Sequence, residues 1–117
     1  MLAAERASVV DLEHLNKYTG GDLALNGEIL RLFQKQATDM TLRLQASIEA
    51  GDNEGWFDAA HTLKGAAKGI GAFALAETVA EAEKLQPQTD RAKAQAALAT
   101  MKSRAGLVHM FIDSYLR

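Results

Sequence analysis

A helical period in the last third of the chain restricts its fold more than any other feature. Between positions 90 and 116 six apolar residues fall within a stripe about 80° wide when successive residues are set about 100° apart. They are Ala94, Leu98, Met101, Ala105, Val108 and Ile112. A second apolar pattern, from 23 to 50, drifts slowly around its helix as in supercoiled bundles. It contains Leu25, Ile29, Leu32, Phe33, Met40, Leu44 and Ile48.

Four breaks divide the chain into five helical stretches. The breaks are the glycines at 20 and 21, the segment 51–53, the segment 69–71 and the single proline, Pro87. The rarity of prolines and of alternating β-branched runs favours helices over strands. We therefore predict an all-α fold, an antiparallel four-helix bundle with a short additional N-terminal helix. The predicted helices span 11–18, 23–50, 52 or 53 to 68, 72–85 and 90–116.

Length and composition limit the remaining possibilities. A chain of 117 residues suits one domain with one core, so we treat 1–117 as a single domain with 1–10 as an N-terminal extension and 90–116 as the closing helix. The net charge of −2 argues against a nucleic-acid surface. The absence of cysteine excludes disulfides and thiol chemistry, and no apolar run suits a signal peptide or membrane span. We expect a cytoplasmic protein, and the initial Met1 favours a free-standing one.

The third stretch has two opposite faces. With His61 at 0° on a helical wheel, an apolar set lies on the far side, between about 140° and 260°. That set is Trp56, Ala59, Ala60, Leu63, Ala66, Ala67 and Ile70. The face of His61 carries Glu54, Phe57, Asp58, Lys64, Gly65 and Lys68. The pattern therefore predicts an exposed histidine in the middle of a rigid helix.

The neighbours of His61 suit phosphoryl transfer. A neutral imidazole nitrogen is a nucleophile near pH 7, and Lys64 and Lys68 would offset charge on the phosphoryl oxygens. Gly65, one turn beyond the histidine, leaves room for a bulky donor, although a glycine inside a helix costs about 1 kcal/mol. Either lysine could instead be an ordinary solvated charge.

The fourth stretch carries a carboxylate in its apolar stripe. Its inner positions are Ala72, Leu75, Ala76, Val79 and Ala82, and Glu83 falls among them. A carboxylate there needs a partner. Antiparallel packing through the tight 69–71 connection would bring Glu83 toward His61 or Lys64, where it could hold one ring nitrogen and leave the other free. It could also pair with a lysine for packing alone.

The run AHTLKGAAKGIGAFAL, from 60 to 75, resembles the histidine-containing phosphotransfer (HPt) domain family of two-component phosphorelays. The shared pattern is His-x-x-Lys-Gly followed by a second glycine and a leucine, here His61, Lys64, Gly65, Gly71 and Leu75. The similarity extends to GGDLALNGEILRLFQKQ and to Glu83, where the family often has Gln or Glu. Residues 11–85 match the family best, and Lys68 is not a fixed part of its pattern.

The resemblance implies that His61 accepts a phosphoryl group from an aspartyl-phosphate on a receiver domain and passes it to another receiver. The implied partners are response-regulator receiver domains and a hybrid histidine kinase, and the implied Mg²⁺ lies in the receiver, with no cofactor or metal in this chain. We expect a monomeric carrier that is not itself an enzyme. Phe57, Gly65 and Gly71 are the residues expected to meet the partner, although Phe57 could instead fold over the edge of the bundle.

Other interpretations are weaker. A non-phosphorylated helical adaptor that docks receivers or kinases remains the alternative function. An ATP-dependent histidine kinase is disfavoured because the chain has no nucleotide-binding motif. The glycines of GAAKGIG follow a helix rather than a strand and lack the Gly-Lys-Ser/Thr ending of a nucleotide loop. His14 and His109 are interpreted as structural or idle, and the three histidines do not have metal-site spacing.

Overall fold

The computed structural model describes residues 9–117, which form five α-helices. They are α1 (Leu12–Thr19), α2 (Leu23–Ala50), α3 (Asn53–Gly69), α4 (Phe73–Glu83) and α5 (Arg91–Tyr115). The predicted all-α fold is confirmed, and every predicted helix end lies within two residues of the observed one. Of the predicted N-terminal extension, residues 1–8 lie outside the described part.

Aspartates begin the first three helices. The side chains of Asp11, Asp22 and Asp52 each accept a hydrogen bond from a backbone N–H in the first turn, at 3.2, 3.0 and 2.9 Å respectively. Such N-caps satisfy amide groups that have no partner within the helix. They fix the first residue of each of these helices and so help to end the connection that precedes it.

The four long helices form a closed ring of neighbours. Helix α2 packs against α3 and α5, and α4 packs against the same two helices. Hydrogen bonds near both ends show that α2 and α5 are antiparallel: the Asn26 amide lies 3.4 Å from the Tyr115 hydroxyl, and the Arg91 guanidinium donates to the Ile48 carbonyl at 3.0 Å. The arrangement is a four-helix bundle. None of the described helices is both long and apolar enough to cross a membrane.

The core follows the predicted stripe in α5 but departs from it in α2. All six residues of the α5 stripe are buried. In α2, the prediction that Leu25 and Leu32 belong to the apolar stripe of the core is wrong, since these residues are 40% and 66% exposed. Leu30 and Ala37, which were not predicted, are buried. Leu32 lies roughly 100° around the helix from Phe33, outside the arc that α3 and α5 cover. The broad apolar pattern did not show which edge of the stripe stays in solvent.

Helix α1 lies on the α3–α4 turn. The amide of Asp11 donates to the carbonyl of Gly71 at 2.9 Å, and Val10 and Leu15 are buried in the common core. Val10 therefore belongs to the packed domain rather than to an extension. The Asp11–Gly71 hydrogen bond and the buried side chains of Val10 and Leu15 attach the N-terminal segment to the turn between α3 and α4. They therefore support the two helices that carry the predicted site.

Candidate functional site

Helix α3 separates its apolar and polar residues as the wheel predicted. Its far face is buried except for Ala66, which is partly buried against the core. On the opposite face, the side chain of His61 is 62% exposed, whereas that of Lys64 is only 19% exposed. The remaining predicted members of this face are exposed: Glu54, Phe57, Asp58, Gly65 and Lys68. The imidazole therefore projects from a helix whose other side is anchored in the core.

Glu83, the last residue of α4, contacts both functional candidates on α3. Its Oε1 lies 2.9 Å from Nδ1 of His61, and its Oε2 accepts a hydrogen bond from Nζ of Lys64 at 2.9 Å. The side chain of Glu83 is 14% exposed, so water competes little for these two contacts. One carboxylate thus connects the imidazole and the ammonium group.

The electrostatics keep this carboxylate ionised. The Lys64 hydrogen bond lowers the pKa of Glu83 below its ordinary value of 4.5; partial burial raises this pKa, and the His61 hydrogen bond lowers it further. An ionised carboxylate can only accept hydrogen bonds, so Nδ1 of neutral His61 must carry the ring proton. Nε2 then has the free lone pair, which makes it the nucleophilic nitrogen.

A buried tryptophan fixes the register of the two helices. The indole nitrogen of Trp56, which is fully buried, donates to the carbonyl of Ala82 at 2.8 Å. Ala82 directly precedes Glu83, so this bond holds the end of α4 beside α3. Sequence reasoning placed Trp56 in the apolar stripe but missed this role; the available signal was that a buried indole N–H requires an acceptor.

The ring of Phe57 lies on the imidazole of His61. The two ring centroids are 5.5 Å apart and their planes differ by 15°, which is an offset stacked arrangement. Phe57 is one turn before His61 on α3 and is 47% exposed. Its ring thus contacts the candidate nucleophile itself, an arrangement that neither the bundle-edge nor the docking interpretation included.

The two predicted docking glycines occupy different environments. A Cβ atom built on Gly65 would meet no atom within 4 Å beyond the neighbouring backbone of α3 itself, so the helix surface is open there. Gly71 is buried and has a φ of +82°, and a Cβ on it would lie 2.6 Å from the carbonyl oxygen of Asp11. The docking role predicted for Gly71 is therefore corrected: it permits close packing of the backbone of α1 and offers no surface to a partner.

The other sequence candidates lie apart from this cluster. Lys68 is exposed two turns beyond His61 and makes no ion pair within residues 9–117. The ring of His14 packs edge-on against Phe73, with centroids 5.0 Å apart, while His109 is half-buried beside α2. Among residues 9–117, no group of three or more His, Asp or Glu side chains could hold a metal ion.

This fold and site define a class: a helical bundle that displays one solvated imidazole, oriented by a carboxylate from the next helix. The family model for the Hpt domain matches residues 28–113, which is about three quarters of the chain. The chain therefore belongs to the Hpt domain family. Hpt domains transfer phosphoryl groups through a histidine in two-component signalling, interact with receiver domains and kinases, and contain no kinase domain of their own. Comparisons with curated proteins and with solved structures gave no match.

Proposed function

We propose that this protein carries a phosphoryl group on Nε2 of His61, taking it from the aspartyl-phosphate of one receiver domain and delivering it to another. The observation that carries the proposal is the hydrogen bond between Nδ1 of the exposed His61 and Oε1 of Glu83. It fixes the tautomer that leaves Nε2 nucleophilic and directs the ring away from the core.

The proposed transfer is a single in-line displacement. The lone pair on Nε2 of His61 forms the new N–P bond while the bond between phosphorus and the aspartate oxygen breaks, and that electron pair returns to the aspartate carboxylate. The proton stays on Nδ1, which continues to donate its hydrogen bond to Oε1 of Glu83. The ring becomes a phosphorylated imidazolium, and the carboxylate stabilises its positive charge.

Lys64 and Lys68 support the phosphoryl group by charge. Phosphorylation adds negative oxygens to a ring that shares the Glu83 carboxylate with the ammonium group of Lys64, one turn further along the helix. Lys68 is exposed on the same face and can turn toward the group without breaking an ion pair within residues 9–117. Because phosphoryl transfer depends largely on positioning and charge, two cations along the helix favour it.

Gly65 provides the approach for the receiver. The space around its Cα is open, so the aspartyl-phosphate loop of a receiver can come close to the helix one turn beyond His61. The exposed ring of Phe57 extends this face on the other side of the histidine. A receiver or a hybrid kinase therefore has a continuous contact surface centred on the imidazole.

The test uses receiver domains labelled with radioactive phosphate from acetyl phosphate. We expect wild-type protein, His14→Gln and His109→Gln to take up label as acid-labile, base-stable phosphate, and His61→Gln to take up none while retaining its helical circular dichroism. Label on the His61→Gln variant would overturn the assignment.

The same assay separates the alternatives. Binding of receivers without any uptake of label would establish the adaptor function in place of transfer. Incubation of the protein alone with labelled ATP should leave it unlabelled, since the sequence carries no nucleotide-binding motif. Incorporation of label from ATP would show that the protein is an autokinase and would overturn the carrier assignment.

A further inference from the structure

The stacked pair of Phe57 and His61 has an electrostatic consequence once the histidine is phosphorylated. The rings are nearly parallel, 15° apart, with their centroids at 5.5 Å. The face of a phenyl ring carries partial negative charge, so it attracts a cation within about 6 Å of its centroid. This electrostatic attraction to Phe57 stabilises a neutral His61 ring only slightly, whereas it stabilises a positively charged ring more.

Phosphorylation at Nε2 creates such a charge. Since Nδ1 of His61 keeps its proton in the hydrogen bond to Glu83, the phosphorylated ring is an imidazolium. Its positive charge is delocalised over the atoms that lie against Phe57. Glu83 meets this charge at the ring edge and Phe57 meets it at the ring face, from two different helices.

We propose that Phe57 stabilises the phosphorylated form of His61 and so lowers its tendency to release the phosphoryl group. This inference rests on the proposed function. When water attacks phosphorus, the N–P bond breaks, its electron pair returns to Nε2, and inorganic phosphate forms. The ring then loses its positive charge and with it the attraction to Phe57. Loss of phosphoryl, to water or to a receiver, is therefore slower and less favourable with Phe57 in place.

The first test measures the lifetime of the phosphohistidine without any partner. The full-length protein, in a background of His14→Gln and His109→Gln, is phosphorylated with labelled phosphoramidate and then freed from the donor. We expect Phe57→Leu, which keeps apolar bulk but loses the aromatic face, to shorten the half-life about 2- to 5-fold, corresponding to about 0.5 to 1 kcal/mol. Phe57→Tyr, which keeps an aromatic face at this position, should have the same phosphohistidine half-life as the protein with Phe57.

Phe73→Leu is the matched control. Phe73 is an exposed aromatic residue on α4 whose ring lies beside position 14, which is glutamine in this background, and not beside His61. The same substitution there should leave the half-life unchanged.

A second measurement separates stabilisation from docking. A lost docking contact slows transfer in both directions and leaves the equilibrium of label between receiver and carrier unchanged. A lost stabilisation shifts that equilibrium toward the receiver, and we expect Phe57→Leu to do so by the same 2- to 5-fold factor. In the unphosphorylated protein, the carbon-bound ring protons of His61 should also move downfield as the ring current of Phe57 disappears.

The outcomes are distinct. Equal half-lives and equal equilibria for wild type and Phe57→Leu would overturn the role of Phe57 and leave the proposed function intact. If the His61 ring protons have the same chemical shifts in Phe57→Leu and in wild type, the two rings do not stack in solution and the inference is overturned. If no variant accepts phosphate on His61, the proposed function fails and this inference fails with it.

Discussion

The indole N–H of Trp56 donates a hydrogen bond of 2.8 Å to the carbonyl of Ala82, the residue that directly precedes Glu83. This bond joins the buried side of α3 to the end of α4, while the exposed side of α3 carries His61. The histidine and its carboxylate partner are thus aligned by a contact on the opposite side of the helix from the chemistry. The geometry of the site depends on the core packing beneath it.

Trp56→Phe tests this dependence. The substitution removes the hydrogen bond and leaves a small cavity, and we expect it to lower the free energy of unfolding by about 1 to 3 kcal/mol. It should also slow transfer to His61, because the end of α4 loses its fixed position. Urea denaturation measures the first effect and the receiver assay the second. Equal stability of variant and wild type would show that the bond does not set the register.

The lowered pKa of Glu83 predicts a loss of stability in acid. Because this pKa is lower in the folded protein than its ordinary value of 4.5, the contribution is fully present above pH 4.5 and is lost as pH falls through the folded value. Urea denaturation from pH 7 down to about pH 3 should therefore show a steeper decline for wild type than for Glu83→Gln. Parallel curves for the two proteins would contradict the prediction.

The two lysines should differ in their effect on transfer. Lys64→Ala removes the cation that shares Glu83 with His61, and we expect the transfer rate to fall about 10-fold or more, the range for one hydrogen bond to a charged group. Lys68→Ala, the matched control of the same charge change, should reduce the rate less than about 3-fold, because the group is exposed and screened. The reverse order would make Lys68 the main phosphoryl contact.

Gly65→Ala should separate stability from function. Apart from the neighbouring backbone of α3 itself, no atom lies within 4 Å of the added Cβ, and alanine favours a helix over glycine by about 1 kcal/mol, so the variant should melt at a higher temperature. Its transfer from receivers should nevertheless fall, while labelling by phosphoramidate stays at the wild-type level. If the variant is more stable and accepts phosphate from receivers as fast as wild type, Gly65 is not needed for the approach of the receiver.

Gly71→Ala should have the opposite effect on stability. The backbone φ of +82° is unfavourable for alanine, and the added Cβ would lie 2.6 Å from the carbonyl oxygen of Asp11. We expect a loss of about 2 kcal/mol or more, measured by thermal unfolding. A loss below about 0.5 kcal/mol would show that α1 moves away from the turn at little cost.

Much of the fold was predictable because its signals are local. The stripe of α5 identified every buried residue of that helix, and the glycine and proline breaks located the helix ends within two residues. The two faces of α3 followed from the helical repeat alone. The prediction failed at Leu25 and Leu32, since a repeat shows the direction of an apolar face but not the width that neighbouring helices cover.

The amino-acid sequence by itself determined the helices, their order and the exposed face that carries His61, because these depend on the spacing of residues within one helix. Only the tertiary structure decided that Glu83 contacts both His61 and Lys64, that Gly71 lies buried beneath Asp11 and that Val10 belongs to the core. These contacts join different helices, so they depend on the rotation and register of each helix against its neighbour. Those quantities are set by side-chain packing across the whole bundle, and no single helical repeat contains them.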